Sequence, residues 1–430
     1  MRLALTLACL ALAATPALAH ESQSTAPARP AAAAAPMPTL AFRGGRWFDG
    51  TRFVPARWYS VDGGLTRTRP ARIDATIELG DRYVLPPLVE AHSHDMQNGR
   101  FAAISNGKNL RAGVFYSVQM CSRPDQRQDF AGFFGQSASV DVLYADACIS
   151  SGDGHPLGMI LSSAREAGMT VTPEDGRRFY DPIDTLADLD RLWPQILARR
   201  PRLIKFIMIN GDRRERDRGN ARLFGYLGLD PALAAPLVER AHRAGIRVVA
   251  HADSASDFAT AVAAGVDILA HLPGYRIADG MSAADYRIAD AVIAEAARRN
   301  IVVITTAGIS ASHVQRNPGN AEPLRAMQIE NLTRLRAAGV TLAIGSDNVM
   351  GTVVDEIVYL DGLGVMPRAE LLRRATADTA RAMFPDRAIG SFQEGADASL
   401  VAYDADPLQS IETLRSPRIL IKNGSLLGRP

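Results

Sequence analysis

Lysine is nearly missing from this chain. Of 48 basic side chains only Lys108, Lys205 and Lys422 are lysines. The arginine bias is what a GC-rich genome produces, and it singles out any lysine that sits in a chemically loaded place. Cysteine is equally scarce, with three in 430 residues. Cys9 lies in an N-terminal leader, and Cys121 with Cys148 can build neither a disulfide-rich scaffold nor a zinc finger. An excess of charge of one sign is absent too, since 48 basic residues face 46 acidic ones for a net charge of +2. That balance gives no basis for nucleic-acid or membrane-surface binding. Beyond the leader no apolar run is long enough to span a bilayer, so no membrane insertion is expected of the mature form. What is present is ordinary for a globular protein able to bury a large core. Hydrophobic residues make up 47% and charged residues 22%, which excludes disorder for the bulk of the chain.

The first residues read as an export signal. Arg2 supplies the positive end, 3–14 the apolar run, and Ala17-Leu18-Ala19 the small-residue cleavage pattern. The expected organisation is a signal peptide over 1–19 and a disordered Ala/Pro/Ser/Thr-rich leader over 20–38, leaving an exported, periplasmic protein. Segments 42–48, 53–60 and 71–77 are short, alternating and turn-rich, as antiparallel strands are. From residue 83 apolar runs alternate with helical stretches, as in βα repeats. Eight such runs occur, at 83–91, 114–119, 141–147, 203–209, 247–250, 267–270, 301–305 and 341–344. Among the helices between them, 231–244 has Asp230 as cap and Pro231 in the first helical position. The expected fold class is therefore α/β: a (β/α)8 TIM barrel over 83–387, with a small β-sandwich domain built from both chain ends, 39–82 and 388–430.

In such a barrel the chemistry gathers at the C-terminal strand ends. The first run ends in His92-Ser93-His94, where alternate residues of an extended segment point the same way and can share one metal. The fourth run carries Lys205 among apolar neighbours, the fifth and sixth end at His251 and His271, and the eighth at Asp347. Each alone has an ordinary explanation, a hydrogen-bonded core histidine or a turn aspartate. At successive strand ends, in this order, they point together to a metal centre.

With these residues the chain resembles the amidohydrolase superfamily, in its imidazolonepropionase-like branch that includes metal-dependent dipeptidases. The resemblance is carried by Leu85-Pro86-Pro87-Leu88-Val89-Glu90-Ala91-His92-Ser93-His94 and by Ala241-His242-Arg243-Ala244-Gly245. It continues in Ala263-Ala264-Gly265-Val266-Asp267 and in the tail Gly395-Ala396-Asp397-Ala398-Ser399-Leu400-Val401. It implies two divalent metal ions, zinc being the ion such a donor set suits. His92 and His94 would hold the first and His251 and His271 the second. Lys205, carboxylated, would bridge them, and Asp347 would contact the first while moving the proton. His155, in a Gly-His segment after the third run, would polarise the scissile carbonyl, although a loop-structuring role fits it equally. Pro87 stands where the family usually has glycine, and 115–119 lacks the family's Thr-Thr-Val-Arg-Asp type of ending, so the resemblance does not carry a substrate.

The leading expectation is an exported binuclear hydrolase cleaving an amide C–N bond of a small molecule: a dipeptide, an N-acyl amino acid or a cyclic amide. Asp347 would serve as general base and then acid. A phosphotriesterase or lactonase on the same centre is the alternative, and a non-catalytic solute-binding barrel is a further one. The long 148–201 insertion reads as a loop able to cover the site. Tyr226, with His313 and Arg316 in a loop over 307–320, are the substrate-binding candidates, while His242 is expected to be surface or packing. Cys121 and Cys148 follow neighbouring strands. A bridge and two buried thiols both stay open, the thiols being favoured.

Overall fold

The computed structural model describes residues 37–427, except 98, 131 and 350. The export signal over 1–19 and the leader as far as 36 lie outside the described residues. The chain forms an α/β fold, with parallel-strand sheets in a TIM-barrel-like arrangement and an eight-stranded sheet assembled from both ends of the chain.

In the eight-stranded sheet, Leu40–Phe48 pairs antiparallel with Phe53–Pro55 and Trp58–Val61, and parallel with Ala75–Leu85. The C-terminal strand Leu400–Tyr403 runs antiparallel beside Ala75–Leu85, with Val401 opposite Leu85, and Ile419–Lys422 follows it. Two expectations are corrected here. The pairing is not all antiparallel, because the short strands between 53 and 66 turn the chain back before Ala75 and send it alongside Leu40–Phe48 in the same direction. The sandwich is instead one sheet that curls until Gly64 bridges Asp397, enclosing Trp47, Trp58, Leu79 and Ile421.

Pro86 and Pro87 have no N–H to give a ladder, and the apolar run 83–91 divides there. Tyr83 to Leu85 ends the outer strand, while Leu88–Ser93 is the first parallel strand. It pairs with Val114–Gln119, which pairs with Asp141–Tyr144. A second parallel sheet runs from Asp181–Pro182 through Cys148–Ser150, Leu203–Met208, Arg247–Ala252, Ile268–Leu269 and Val302–Ile304 to Thr341–Ala343. The run at 141–147 therefore supplies one strand and leads into a second, Cys148–Ser150, which the sequence did not signal. The two sheets are linked on one side by Ala145 N–H to Gln119 O at 2.9 Å and Asp146 N–H to Leu203 O at 3.0 Å. On the other side Ala91 N–H reaches Ile344 O at 3.1 Å, and Asp347 N–H reaches His92 O at 2.9 Å.

Every residue of Leu88–Ser93, Val114–Gln119 and Leu203–Met208 is buried, as strands covered on both faces must be. Period-two alternation sorts them. Ile204, Phe206 and Met208 pack with the helix residues Leu237, Val238 and Phe258. Leu203 and Val249 pack instead with Ala91, Ile268 and Ile304. Each such aliphatic or aromatic side chain contributes about 1.5–3 kcal/mol by burial. Lys205 and His251, two residues beyond Leu203 and Val249, share their side of the sheet. Asp230 accepts from Ala232 N–H at 2.9 Å, so the helix 231–244 starts where expected, as a 3-10 turn leading into Ala234–Arg243.

The 148–201 insertion is not a loop. It contains helices Leu157–Glu166, Pro173–Arg177 and Leu186–Ala198, the last two opened by capping boxes at Thr172 and Thr185. The 307–320 segment is likewise helical, Ala307–Ile309 leading into Ser310–Arg316. Cys121 and Cys148 are joined in a disulfide with Cα atoms 4.6 Å apart, against the preference for two thiols. The Gln119–Ala145 and Ser122–Asp146 backbone bonds bring the two segments together. Among the described residues no helix is long and apolar enough to cross a membrane.

Candidate metal centre

The first and last parallel strands are fixed to each other by a carboxylate in the apolar run. Glu90, almost fully buried, accepts His92 N–H at 2.9 Å, Ser346 N–H at 2.8 Å and the Ser346 hydroxyl at 2.6 Å. Burial pushes its carboxyl up to about 8 in spite of those bonds. Gly345 permits the close approach, since a Cβ there would lie 2.8 Å from His92 N. The chain then enters the left-handed region at Asp347, φ 51°, a conformation aspartate tolerates better than most residues.

This brings His92, His94, Lys205, His271 and Asp347 together. His92 Nε2 lies 3.3 Å from His94 Nε2, 3.1 Å from Lys205 Nζ and 3.6 Å from Asp347 Oδ1. His94 Nε2 is 3.5 Å, and His271 Nδ1 3.9 Å, from Asp347. His92, His271 and Asp347 each offer a ligand atom within 4.8 Å of the others. The Asp347 and His94 side chains keep 18% and 22% of their exposure while that of His92 keeps none, so solvent reaches the cluster at these two groups.

The hydrogen bonds assign the His92 tautomer. Its Nδ1 faces Ala270 O at 3.1 Å, and a carbonyl only accepts, so Nδ1 carries the proton and Nε2 the lone pair. Burial, with the Lys205 charge next, holds His92 and His94 well below the ordinary imidazole value. Burial and the His251 charge do the same to His271. Burial pushes the Lys205 ammonium down and the Asp347 carboxyl up, each opposed by the charge of the other. Burial disfavours the charged imidazolium, so these rings stay neutral and the inward His92 lone pair is left to accept a hydrogen bond or to bind a cation. Nitrogen donors with one carboxylate are what a divalent cation such as zinc accepts, so the residues fit the group.

His251 stands beside the cluster, its ring centroid 4.3 Å from that of His271, but its Nε2 lies 3.2 Å from Asp253 Oδ1. His155 is stacked on His251 at 6.0 Å between centroids, and burial holds it down to about 3. Its backbone N–H donates to Leu227 O at 2.6 Å, so the 225–228 segment carries the His155 turn. Tyr226 in that segment is exposed and lies against Gly158, where a Cβ would be 2.5 Å from its ring. His313 approaches through Tyr275, centroids 5.6 Å apart, while Arg316 is exposed and donates to His313 Nδ1 at 3.1 Å. His242 is exposed on its helix, 2.9 Å from Asp267.

Sequence reasoning missed Asp253, Tyr275 and Arg276, and quoted Glu90 without a role. For Asp253 a signal existed, because His251-Ala252-Asp253 repeats the alternate spacing of His92-Ser93-His94. Glu90 was a carboxylate inside an otherwise apolar run. Tyr275 and Arg276 had none, since their place depends on how the turn after His271 folds back.

A family model described as "Amidohydrolase family" matches residues 211–426. The ochratoxinase of Aspergillus niger is 23% identical over 384 residues, covering 81% of this chain and 76% of that protein. A solved Xaa-Pro dipeptidase with methionine in its active site superposes with a TM-score of 0.66 at 18% identity, over 91% of this chain and 100% of that one. A prolidase complexed with N-methylphosphonate-L-proline does so with a TM-score of 0.68 at 17% identity, over 91% and 100% of the two chains. These structural likenesses are likenesses of fold.

Proposed function

This chain belongs to the amidohydrolase family and is a hydrolase, and from that premise we propose that it is an exported, binuclear metal-dependent enzyme cleaving the amide C–N bond of a small molecule. The observation that carries the reading is the meeting of His92, His94, Lys205, His271 and Asp347, brought by four parallel strands and the segments that follow them, with the His92 lone pair turned inward. The parallel strands from Leu88 onward close, in this reading, into a (β/α)8 barrel, with both chain ends, residues 83–85 included, in the small sheet domain.

His92 and His94 would hold one ion, His251 and His271 the other, and Lys205 as its carbamate would lie between them, with Asp347 at the first. Two divalent cations, zinc in this proposal, would polarise a carbonyl and bring the pKa of water toward neutrality. The chain's own residues do the rest. Asp347, partly open to solvent, takes a proton from water and passes it to the leaving amine. His155 donates to the carbonyl oxygen as charge develops on it. Its low pKa keeps the imidazole neutral, and a neutral imidazole still donates one N–H. Tyr226, His313 and Arg316 line the approach.

Among the amides considered, the name of the Xaa-Pro dipeptidase it resembles in fold favours a dipeptide as substrate. The leader and the Cys121–Cys148 bridge both favour the periplasm, where disulfides persist. A panel of dipeptides, N-acyl amino acids, cyclic amides, lactones and phosphotriesters tests the reading. Turnover of amides above the other classes is expected, and turnover confined to lactones or phosphotriesters would overturn the bond assignment.

A further inference from the structure

Asp253 receives three donors from three directions. His251 Nε2 lies 3.2 Å from Oδ1, the Tyr275 hydroxyl donates to the same oxygen, and Arg276 Nη2 donates to Oδ2 at 2.8 Å. Asp253 is only 2% exposed, and a carboxylate this deep is tolerated when its charge is paired and its oxygens are bonded, as Arg276 and these donors provide. The bond to His251 has a consequence for the ring. A neutral imidazole donates from one nitrogen only, so Nε2–H directed at a carboxylate leaves the lone pair on Nδ1. Tyr275 carries the effect further. Its ring centroid is 5.6 Å from that of His271 and 6.2 Å from that of His251, and Gly274 N–H reaches Asp253 O at 3.4 Å. The turn after His271 is thus folded back over both histidines, with Asp253 as its anchor.

We propose that Asp253 is a positioning residue for one side of the metal centre, fixing His251 with Nδ1 as its ligand nitrogen and, through Tyr275 and Arg276, clamping the 272–276 turn over His271. This rests on the metal-centre reading above. Carboxylates that orient a ligating histidine in this way typically govern metal affinity by about 10–100-fold. The effect falls on the His251/His271 side and leaves the His92/His94 side alone.

The test is titration of chelator-stripped full-length protein with cobalt(II), followed by visible absorption, beside the melting temperature of the metal-free protein. In Asp253→Asn one cobalt equivalent binds as in the wild type and the other binds about 10–100-fold more weakly, while a fall in the metal-free melting temperature reads the separate cost of leaving Arg276 without its ion pair. Both equivalents unchanged, or both weakened alike, overturns the proposal. If Asp253→Asn does not fold, Tyr275→Phe is titrated instead. It loses one donor to Asp253 and keeps its ring, and the same single equivalent is expected to weaken; no change overturns the clamp. Wild-type protein that takes up no cobalt overturns the metal-centre reading and this proposal with it. Two equivalents in the wild type with an indifferent variant overturn this proposal alone.

Discussion

Removing the disulfide gives a perturbation whose size follows from the chain itself. Cys121 and Cys148 are 27 residues apart in sequence. A bridge closing a loop of that length lowers the entropy of the unfolded chain by an amount worth about 3.5 kcal/mol at 25 °C. The replacement should add no second penalty. Cys148 is fully buried among Leu157, Tyr180, Ile207 and Ile209, where a serine hydroxyl without a partner would cost about 1–3 kcal/mol more. Cys148→Ala avoids this, and Cys121→Ser suits the less buried end. With about 2 cal/mol/K of unfolding entropy per residue, a fold of about 390 residues loses about 0.8 kcal/mol per degree near its midpoint. The double variant should therefore melt about 4 °C lower, measured by calorimetry on metal-free protein so that ligand binding does not enter. Alkylation of denatured, unreduced wild-type protein with peptide mass mapping should find residues 121 and 148 unlabelled. Labelling at both would refute the bridge. A bridge with an unchanged midpoint would refute the loop-entropy reasoning.

Asp347→Asn keeps the size of the side chain and removes the base, so turnover of a good amide substrate should fall about 10²–10⁴-fold with metal content retained, measured by kcat and elemental analysis together. Lys205→Ala should lose metal and activity, and bicarbonate with a short carboxylic acid should restore part of both. Lys205→Arg with normal metal and rate would exclude the carbamate, since a guanidinium keeps its charge. The metal-free protein should be acid-sensitive. Burial lowers His155 from 6.5 to about 3, so between those values the unfolded chain binds the proton that the folded one refuses. This imidazole's contribution is intact above pH 6.5 and is lost as pH falls toward 3, at about 1.4 kcal/mol per pH unit. Urea midpoints at pH 7, 6 and 5 read the slope, and a midpoint that rises on acidification would contradict it.

Most of the parallel strands were legible because they are short apolar runs, several of them buried on both faces, and His92, His94, Lys205, His251, His271 and Asp347 were legible because they interrupt or end those runs. Where apolarity alone was read, boundaries slipped. Residues 83–85 are as apolar as 88–91, and only the Pro86-Pro87 pair separates an outer strand from an inner one. Cys148–Ser150 is three residues long and follows the 141–147 run without a turn signal. Ser310–Arg316 was hidden by Gly308 and Pro318, which mark turns on either side of a helix of seven residues. Parallel pairing of Leu40–Phe48 with Ala75–Leu85 is a property of the path between them and of neither strand. The supports of the site were the least legible part. Asp253 takes its meaning from Tyr275 and Arg276 more than twenty residues away, and Glu90 from Ser346, more than 250 residues away.

The central claim is that the four imidazoles, Asp347 and a modified Lys205 hold two metal ions that hydrolysis requires. Elemental analysis of protein purified without chelators, paired with the rate of amide hydrolysis on the same sample, tests it most directly. The account predicts two divalent ions per chain, loss of both ions and of the rate on chelation, and recovery of both on adding zinc. One ion or none per chain in a sample that hydrolyses amides at full rate would contradict it.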